Sequence, residues 1–260
     1  MSTELRVRFL DPSGVERVGW LEGDQVRIGE GTWIGEMRAT QHLLPRDAVQ
    51  LLAPVAPSKI VAAATNYRRH AEEMGKAIPA IPKIFLKAPS AIVAHQQAVE
   101  IPPLTERVDP EAEVALVVGQ RLRRVSPEEG KAAIVGVVPL NDVTARDFQR
   151  ADGVFSRAKG FDSFCPIGPA MGIGLDPDDL GVVGRVNGEV RQNGRTTDLI
   201  FDCGTLMSFI SHVMTLEPGD VIATGTPAGV APIQHGDVMT VEIEGLPKLE
   251  NPVRNRTDRS

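Results

Sequence analysis

The feature that most constrains the fold is a succession of short apolar runs interrupted by glycine, proline and aspartate. Strand-like runs of this kind occur at residues 83–94, 113–119, 182–192, 220–227 and 237–245. Helical spacing is confined to residues 66–76 and 196–216. Because the strands do not alternate with helices, the pattern argues against a doubly wound parallel sheet and predicts a β-rich α+β fold.

The N-terminal fifty residues carry a pattern of their own. Three short alternating runs, at residues 5–11, 15–23 and 24–31, are separated by glycine and aspartate at turn positions. We therefore predict a small N-terminal β domain over residues 1–52. A proline-containing connection leads to the main domain, residues 53–260, whose first apolar strand opens at Ile60.

Charge and composition exclude several classes of function. The net charge is -6 and the basic residues are scattered, so no electrostatic footprint for nucleic acid or an anionic membrane is present. No apolar run approaches the length of a membrane span, and the first residues are strand-like rather than a signal peptide. We expect a cytoplasmic protein whose two cysteines, Cys165 and Cys203, are reduced core residues.

Two glutamates stand one residue apart at the mouth of the apolar run VDPEAEVALVVG. Side chains alternate along a strand, so Glu111 and Glu113 share one face while Ala112 and Val114 lie on the other. At about 7 Å apart the carboxylates repel by about 2 kcal/mol at an effective dielectric near 20. A shared proton, a lysine or a divalent cation could offset this repulsion. Alternatively, Glu111 lies in a solvated turn and only Glu113 enters the sheet.

Asp142 is a candidate third carboxylate because it follows an apolar run that ends at Leu140. With the two glutamates it would complete an oxygen-rich set of the kind that Mg²⁺ or Mn²⁺ accepts. The alternative is an ordinary N-cap for a helix beginning near Val143. Asp147 is a competing ligand candidate, although flanking Arg146 and Arg150 could explain it by a salt bridge.

A candidate proton-transfer group lies in the stretch TNYRRHAEEMG. On a helix, His70 and Glu73 share a face and can touch, and a carboxylate that orients an imidazole makes it a better general base. Surface helices also offer such pairs by chance. Asn66 and Tyr67, the only tyrosine, accompany the pair at the preceding strand exit.

Two lysines and one loop are candidates for binding an oxyanion. Lys87 and Lys159 stand among apolar or glycine neighbours, where a lysine either reaches solvent or binds a carboxylate or enolate oxygen. The stretch DVIATGTPAGV ends a strand in Gly225 and Thr226, whose N–H groups and hydroxyl could hold an anion. A simple tight turn is the alternative for this loop.

Eight motifs in order resemble the fumarylacetoacetate hydrolase family over roughly residues 57–253. They are NYRRHAEE, IFLKAPSA, EAEVALVVG, NDVTARDFQ, AKGFDSFCPIGP, VNGEVRQ, TLEPGDVIATGTPAGV and GDVMTVEIEGL. The resemblance implies a mixed β-sandwich or roll, a homodimer, and Mg²⁺ or Mn²⁺ bound by Glu111, Glu113 and Asp142. It also implies a water-activating His70–Glu73 pair on a lid, together with Lys159. The residues that match its pocket are Lys87, Arg146, Gln149 and Thr226.

The resemblance further implies an enzyme acting on a small 2-oxo or 2-hydroxydienoic acid through a metal-stabilised enolate. Hydrolysis of a C–C bond, decarboxylation and isomerisation all remain open, with breakdown of aromatic compounds as the expected setting. Gly160 and Val114 depart from the serine and leucine frequent in the family, and Gly160 removes a hydrogen bond near Lys159. A non-catalytic protein that binds an oxo acid in the same pocket is the alternative.

Overall fold

The computed structural model describes residues 3–75 and 77–257. Within them, strands far outnumber helices, as the sequence predicts. The strands are β1 (Glu4–Leu10), β2 (Glu16–Glu22), β3 (Gln25–Gly31), β4 (Met37–Pro45), β5 (Gln50–Leu51), β6 (Ile60–Ala64), β7 (Lys83–Lys87), β8 (Ile92–Val93), β9 (Val99–Ile101), β10 (Val108–Asp109), β11 (Ala112–Val118), β12 (Ile134–Asn141), β13 (Thr144–Ala145), β14 (Cys165–Pro166), β15 (Met171–Ile173), β16 (Gly181–Val186), β17 (Glu189–Arg195), β18 (Val221–Ala223), β19 (Val238–Ile243) and β20 (Leu249–Asn255).

The helices are short. The α-helices are α1 (Arg68–Glu73), α2 (Pro127–Ala132), α3 (Arg146–Asp152), α4 (Ser156–Lys159) and α5 (Cys203–Val213). Single 3₁₀ turns are formed by Arg46–Ala48, Pro89–Ala91 and Thr196–Asp198. In the described ranges no helix is long and apolar enough to cross a membrane.

An eleven-stranded mixed sheet organises the molecule. Its order is β4-β3-β2-β1-β15-β12-β11-β18-β6-β7, with β5 paired to β1. The N-terminal strands β1–β4 form a meander that joins the larger part through antiparallel pairing of β1 with β15. The predicted fold class, a β-rich α+β roll with a small N-terminal β domain, is confirmed. The division at residue 52 stays a prediction.

Strand β11 lies in the middle of this sheet and is buried on both faces. Ala112, Val114, Leu116 and Val118 pack into one core cluster, which includes Met207 and Ile210 of α5. The alternate residues Ala115 and Val117 belong to a second cluster on the opposite face. This alternation agrees with the predicted pattern and directs Glu113 away from the first cluster.

A five-stranded sheet, in the order β17-β16-β19-β20-β9, packs beside the large sheet. The predicted hairpin turn at Asn187-Gly188 joins β16 to β17, and both residues have positive φ angles, 53° and 80°. Met239 and Val253 of this sheet contribute to a further core cluster.

The predicted helix over residues 196–216 is shorter in the structure. Residues 196–198 form a 3₁₀ turn, and α5 begins at Cys203 because the Asp202 side chain accepts the Thr205 N–H at 2.7 Å as its N-cap. The proline-containing connection is also partly regular, since β4 runs to Pro45 and β5 follows the 3₁₀ turn.

Candidate active site

Three carboxylates converge where β11 begins and β12 ends. Antiparallel pairing sets Ala112 opposite Asn141, and the Asp142 N–H donates to the Glu111 carbonyl at 2.8 Å. Glu111, Glu113 and Asp142 are 6%, 1% and 1% exposed, and they offer ligand oxygens within 4.8 Å of one another. Glu111 is therefore not in a solvated turn. Asp142 does not cap a helix either, because α3 starts at Arg146.

Two buried lysines provide countercharge to this cluster. Lys159, at the end of α4, donates to Glu111 Oε2 at 2.8 Å and also to Asp142 Oδ2. Lys87, the last residue of β7, has its Nζ 2.6 Å from Asp142 Oδ1 and donates to the Lys159 carbonyl at 2.7 Å. Burial lowers the pKa of Lys159, but Asp142 and Glu111 outweigh it and the pKa is raised.

A buried arginine provides the third cation. Arg146, at the start of α3, donates from Nη2 to Glu111 Oε1 at 2.6 Å and from Nη1 to Gln149 Oε1 at 3.0 Å. Its Nε donates to Asp109 Oδ2 at 2.8 Å. The sequence analysis missed Asp109, although it stands two residues before Glu111 and therefore on the same side of an extended chain. Asp147, given a salt bridge as its alternative role, instead accepts from the Thr105 hydroxyl.

The pKa values of the two glutamates shift in opposite directions. Burial raises the pKa of Glu111, but Lys159 and Arg146 outweigh it and hold the pKa well below its ordinary value. Burial raises the pKa of Glu113 well above its ordinary value, and the negative charges of Asp142 and Glu111 add to the effect. Within the described ranges, the hydrogen-bond donor to Glu113 is the Gly225 N–H, at 2.8 Å from Oε2. Glu111 and Asp142 each contact cations, whereas no ion pair is formed by Glu113 in the part of the chain that the structure describes. The oxygen donors of the cluster fit a hard divalent cation.

A cleft of about 400 Å³, counted with the space open to solvent, leads to these groups. Seven predicted site residues line it: His70, Glu111, Glu113, Arg146, Gln149, Lys159 and Thr226. Phe85 and Phe155, which the sequence analysis did not single out, form an apolar wall with ring centroids 4.7 Å apart. The Lys159 ammonium lies 4.9 Å from the Phe85 centroid. A charged floor and an aromatic wall suit a small acid with an unsaturated chain.

The predicted His70–Glu73 pair is formed on α1. His70 Nδ1 and Glu73 Oε2 are 3.2 Å apart, and His70 is buried at the cleft. The Gly229 N–H donates to both Glu73 oxygens, at 3.1 and 3.2 Å. A carboxylate anchored in this way can hold the imidazole in one tautomer and orientation.

Four residues predicted to bind substrate or line the pocket lie behind the cleft wall. Asn66 donates from Nδ2 to the Phe201 and Thr224 carbonyls and so fixes the two segments that follow β6 and β18. Tyr67 is 2% exposed in the core, and its hydroxyl has no hydrogen-bond partner among the described residues. The Lys87 ammonium forms an ion pair with Asp142, and the Gly225 N–H donates to Glu113. Packing across the sheet, rather than position along the chain, excludes them from the lining.

Gln192 is a further residue that the sequence analysis missed. Its Oε1 accepts the Ala112 N–H at 2.9 Å, and its Nε2 donates to Thr226 Oγ1 and the Pro227 carbonyl, both at 2.7 Å. The Thr226 hydroxyl in turn donates to the Ala112 carbonyl at 2.8 Å. These bonds fix the loop after β18 against the start of β11, where Glu111 and Glu113 stand.

Comparison with known families agrees with this arrangement. The family model described as fumarylacetoacetate (FAA) hydrolase C-terminal matches residues 59–254. The chain belongs to this family. A second model, described as Rv2993c-like, N-terminal, matches residues 6–54, the region of the N-terminal meander. The resemblance drawn from the eight motifs is therefore confirmed.

Relatives in the family carry several activities. Oxaloacetate tautomerase FAHD2A, mitochondrial, of Homo sapiens is 39% identical over 224 residues, which cover 81% of this chain and 71% of that protein. The crystal structure of 2-hydroxyhepta-2,4-diene-1,7-dioate isomerase from Mycobacterium marinum covers 99% of this chain and 100% of that one, at 39% identity and a TM-score of 0.91. Maleylpyruvate hydrolase from Sphingobium sp. SYK-6, in complex with manganese (II) ion and pyruvate, has 29% identity and a TM-score of 0.81, with 97% and 100% covered.

Proposed function

We propose that this protein is a divalent-metal-dependent enzyme that enolises a small 2-oxo or 2-hydroxydienoic acid or diacid. The observation that carries the proposal is the convergence of Glu111, Glu113 and Asp142, whose ligand oxygens lie within 4.8 Å of one another at the floor of a cleft. These three residues would hold Mg²⁺ or Mn²⁺. When bound, such a cation polarises substrate oxygens and stabilises the negative charge of an enolate.

The protein's own groups define how substrate lies in the cleft. The Lys159 ammonium, bridging Glu111 and Asp142, supplies a fixed positive charge at the floor. Arg146 keeps N–H donors beyond the three hydrogen bonds it makes to the protein, and with Gln149 it can bind a carboxylate. Phe85 and Phe155 exclude water from the carbon chain.

His70 is the proton carrier in this proposal. Its ring lines the cleft while Glu73 holds Nδ1, so Nε2 is the nitrogen free to exchange a proton with substrate or water. In isomerisation or tautomerisation it moves a proton between carbon and oxygen of the substrate. In hydrolysis it takes a proton from the attacking water. We favour proton movement, because the tautomerase and isomerase relatives are 39% identical and the hydrolase is 29% identical.

Product analysis tests the reaction class. Purified protein with Mg²⁺ or Mn²⁺ is incubated with oxaloacetate, a 2-hydroxydienedioate and a series of acylpyruvates, and products are followed by mass and enol absorbance. We expect unchanged mass with accelerated loss of the enol band. Gain of water supports hydrolysis, and loss of CO₂ supports decarboxylation. Binding of these acids with no turnover by the metal-loaded protein supports the alternative, a non-catalytic oxo-acid-binding protein, and contradicts the proposal.

A further inference from the structure

Asp109 is a fully buried carboxylate that the proposed chemistry does not use. It is 0% exposed, at the end of β10, and pairing of β10 with β13 sets it opposite Thr144. The Arg146 N–H donates to the Arg107 carbonyl at 2.8 Å, which brings the start of α3 beside the same strand. The fold therefore places Asp109 and Glu111 on either side of the Arg146 guanidinium.

The carboxylate of Asp109 is committed to two arginines. Oδ2 accepts from Arg146 Nε at 2.8 Å and from Arg107 Nη2 at 3.1 Å, while Oδ1 accepts from Arg107 Nε at 2.9 Å. Asp109 is also outside the group of three carboxylates whose oxygens converge. Its position therefore suits control of a neighbouring arginine rather than ligation.

The arginine that Asp109 holds also contacts a member of the acidic cluster. Arg146 donates to Glu111 Oε1 at 2.6 Å, and Lys159 donates to Glu111 Oε2 at 2.8 Å, so both oxygens of Glu111 face a cation. A guanidinium whose charge was not shared would neutralise Glu111 more completely and repel a divalent cation beside it. Asp109 draws part of that charge to the other side of Arg146.

We propose that Asp109 is a positioning residue that shares the charge and fixes the orientation of Arg146, and thereby keeps Glu111 available to a divalent cation. This inference rests on the proposed function, because it concerns the metal at the same site. The carboxylate also fixes the direction in which the remaining Arg146 donors point into the cleft, beside Gln149. Outer groups that orient a ligand of this kind change metal affinity by about 10- to 100-fold when they are mutated.

The test is Mn²⁺ binding by the full chain, measured by titration calorimetry and by the electron paramagnetic resonance signal of free Mn²⁺. Asp109→Asn is expected to raise the dissociation constant at least about tenfold. The double variant Asp109→Asn/Arg146→Gln removes one negative and one positive charge together, and its dissociation constant is expected to return to within about threefold of the unmodified protein. Arg107→Gln is the comparison, because Arg107 contacts the same carboxylate from the outer side. It leaves the Asp109 charge to Arg146, and its dissociation constant is expected to be no higher than that of the unmodified protein.

Each outcome decides a different question. Unchanged Mn²⁺ affinity in Asp109→Asn overturns the inference and leaves the proposed function standing. A double variant as weak as the single variant also overturns it, since that result indicates a merely structural role. If Asp109→Asn does not fold, Arg146→Gln decides instead: affinity equal to or tighter than that of the unmodified protein supports the inference, and weaker affinity overturns it. Absence of Mn²⁺ binding by the unmodified protein overturns the proposed function and the inference together.

Discussion

The backbone N–H of Gly229 donates to both carboxylate oxygens of Glu73, at 3.1 and 3.2 Å. This contact ties α1 to the loop that follows β18. Because Glu73 also contacts His70, the orientation of the imidazole depends on whether the helix and the loop stay together. The contact between Gly229 and Glu73 therefore couples the position of this loop to the orientation of His70, the proposed proton carrier.

Replacement of Glu73 tests the orientation of His70. In Glu73→Gln the amide keeps an acceptor for the Gly229 N–H but no longer stabilises the charged imidazole. We expect kcat to fall about 10²-fold while the Mn²⁺ dissociation constant is unchanged. Glu72→Gln is the matched control, because Glu72 is exposed on the same helix. Equal kcat values for the two variants would show that Glu73 does not act through His70.

Any side chain at Gly229 is expected to destabilise the folded protein. Its φ is 106°, and an added Cβ would lie 1.9 Å from the Arg191 carbonyl oxygen. Gly229→Ala should therefore lower the free energy of unfolding by about 1–3 kcal/mol, because strain and a backbone clash add. Gly188→Ala is the comparison, since its φ is 80° but a Cβ would meet nothing within 4 Å. If urea unfolding gave the same loss of unfolding free energy for both variants, the predicted clash at Gly229 would be contradicted.

Both thiols should be unreactive in the folded protein. Cys165 and Cys203 are free and buried, as the sequence analysis expects, and burial raises the pKa of Cys165 to about 12. Ellman's reagent at pH 8 should therefore modify neither thiol in the native state and both after denaturation in guanidinium. Rapid modification of the native protein would show that one of these residues is accessible.

His95 should make stability depend on pH below neutrality. Burial lowers its pKa, and the nearby Arg46 guanidinium lowers it further, while Nδ1 accepts the Glu250 N–H at 3.1 Å. The unfolded chain then binds the proton more readily than the folded one. The free energy of unfolding contributed by neutral His95 is fully present above its unfolded pKa of about 6.5 and is lost as pH falls below it.

The variant His95→Asn keeps a side-chain acceptor and removes the titrating ring. Urea unfolding at pH 7.5, 6.5 and 5.5 should show a smaller loss of stability toward pH 5.5 than in the unmodified protein. His42→Asn, on the exposed side of β4, should keep the unmodified slope. If the free energy of unfolding depended on pH in the same way in both variants, His95 would not be the cause of the loss of stability.

Much of the acidic centre could be predicted from local pattern. Alternation along a strand places Glu111 and Glu113 on one face, and an apolar run ending at Leu140 places Asp142 at a strand end. The hairpin turn at Asn187-Gly188 is likewise predicted from two adjacent residues. In each case the outcome depends on neighbours in the chain, which the sequence displays directly.

The remainder depended on contacts between distant segments. Lys87 and Tyr67 belong to sequence motifs that predict the pocket, but the packing of the fold buries both behind the cleft wall. Asp109 acquires its role only because pairing of β10 with β13 brings Arg146 against it. The helical spacing predicts an earlier start for α5 because spacing alone does not show that Asp202 is the N-cap.

The expected homodimer stays a prediction, and light scattering of the purified protein tests it directly. Its result does not bear on the acidic centre, since Glu111, Glu113 and Asp142 belong to one chain.

Glu113 offers the most direct test of the central claim that three carboxylates bind a divalent cation. Burial and the charges of Asp142 and Glu111 raise its pKa, and a glutamine amide can still accept the Gly225 N–H. Glu113→Gln should therefore fold normally, whereas Asp142→Asn would leave Lys87 and Lys159 underpaired. The deciding measurement is calorimetric titration of both proteins with Mn²⁺. One ion bound per unmodified chain, with binding lost or weakened at least about tenfold in Glu113→Gln, is the predicted result. No Mn²⁺ uptake by the unmodified chain, or equal uptake by both proteins, would contradict it.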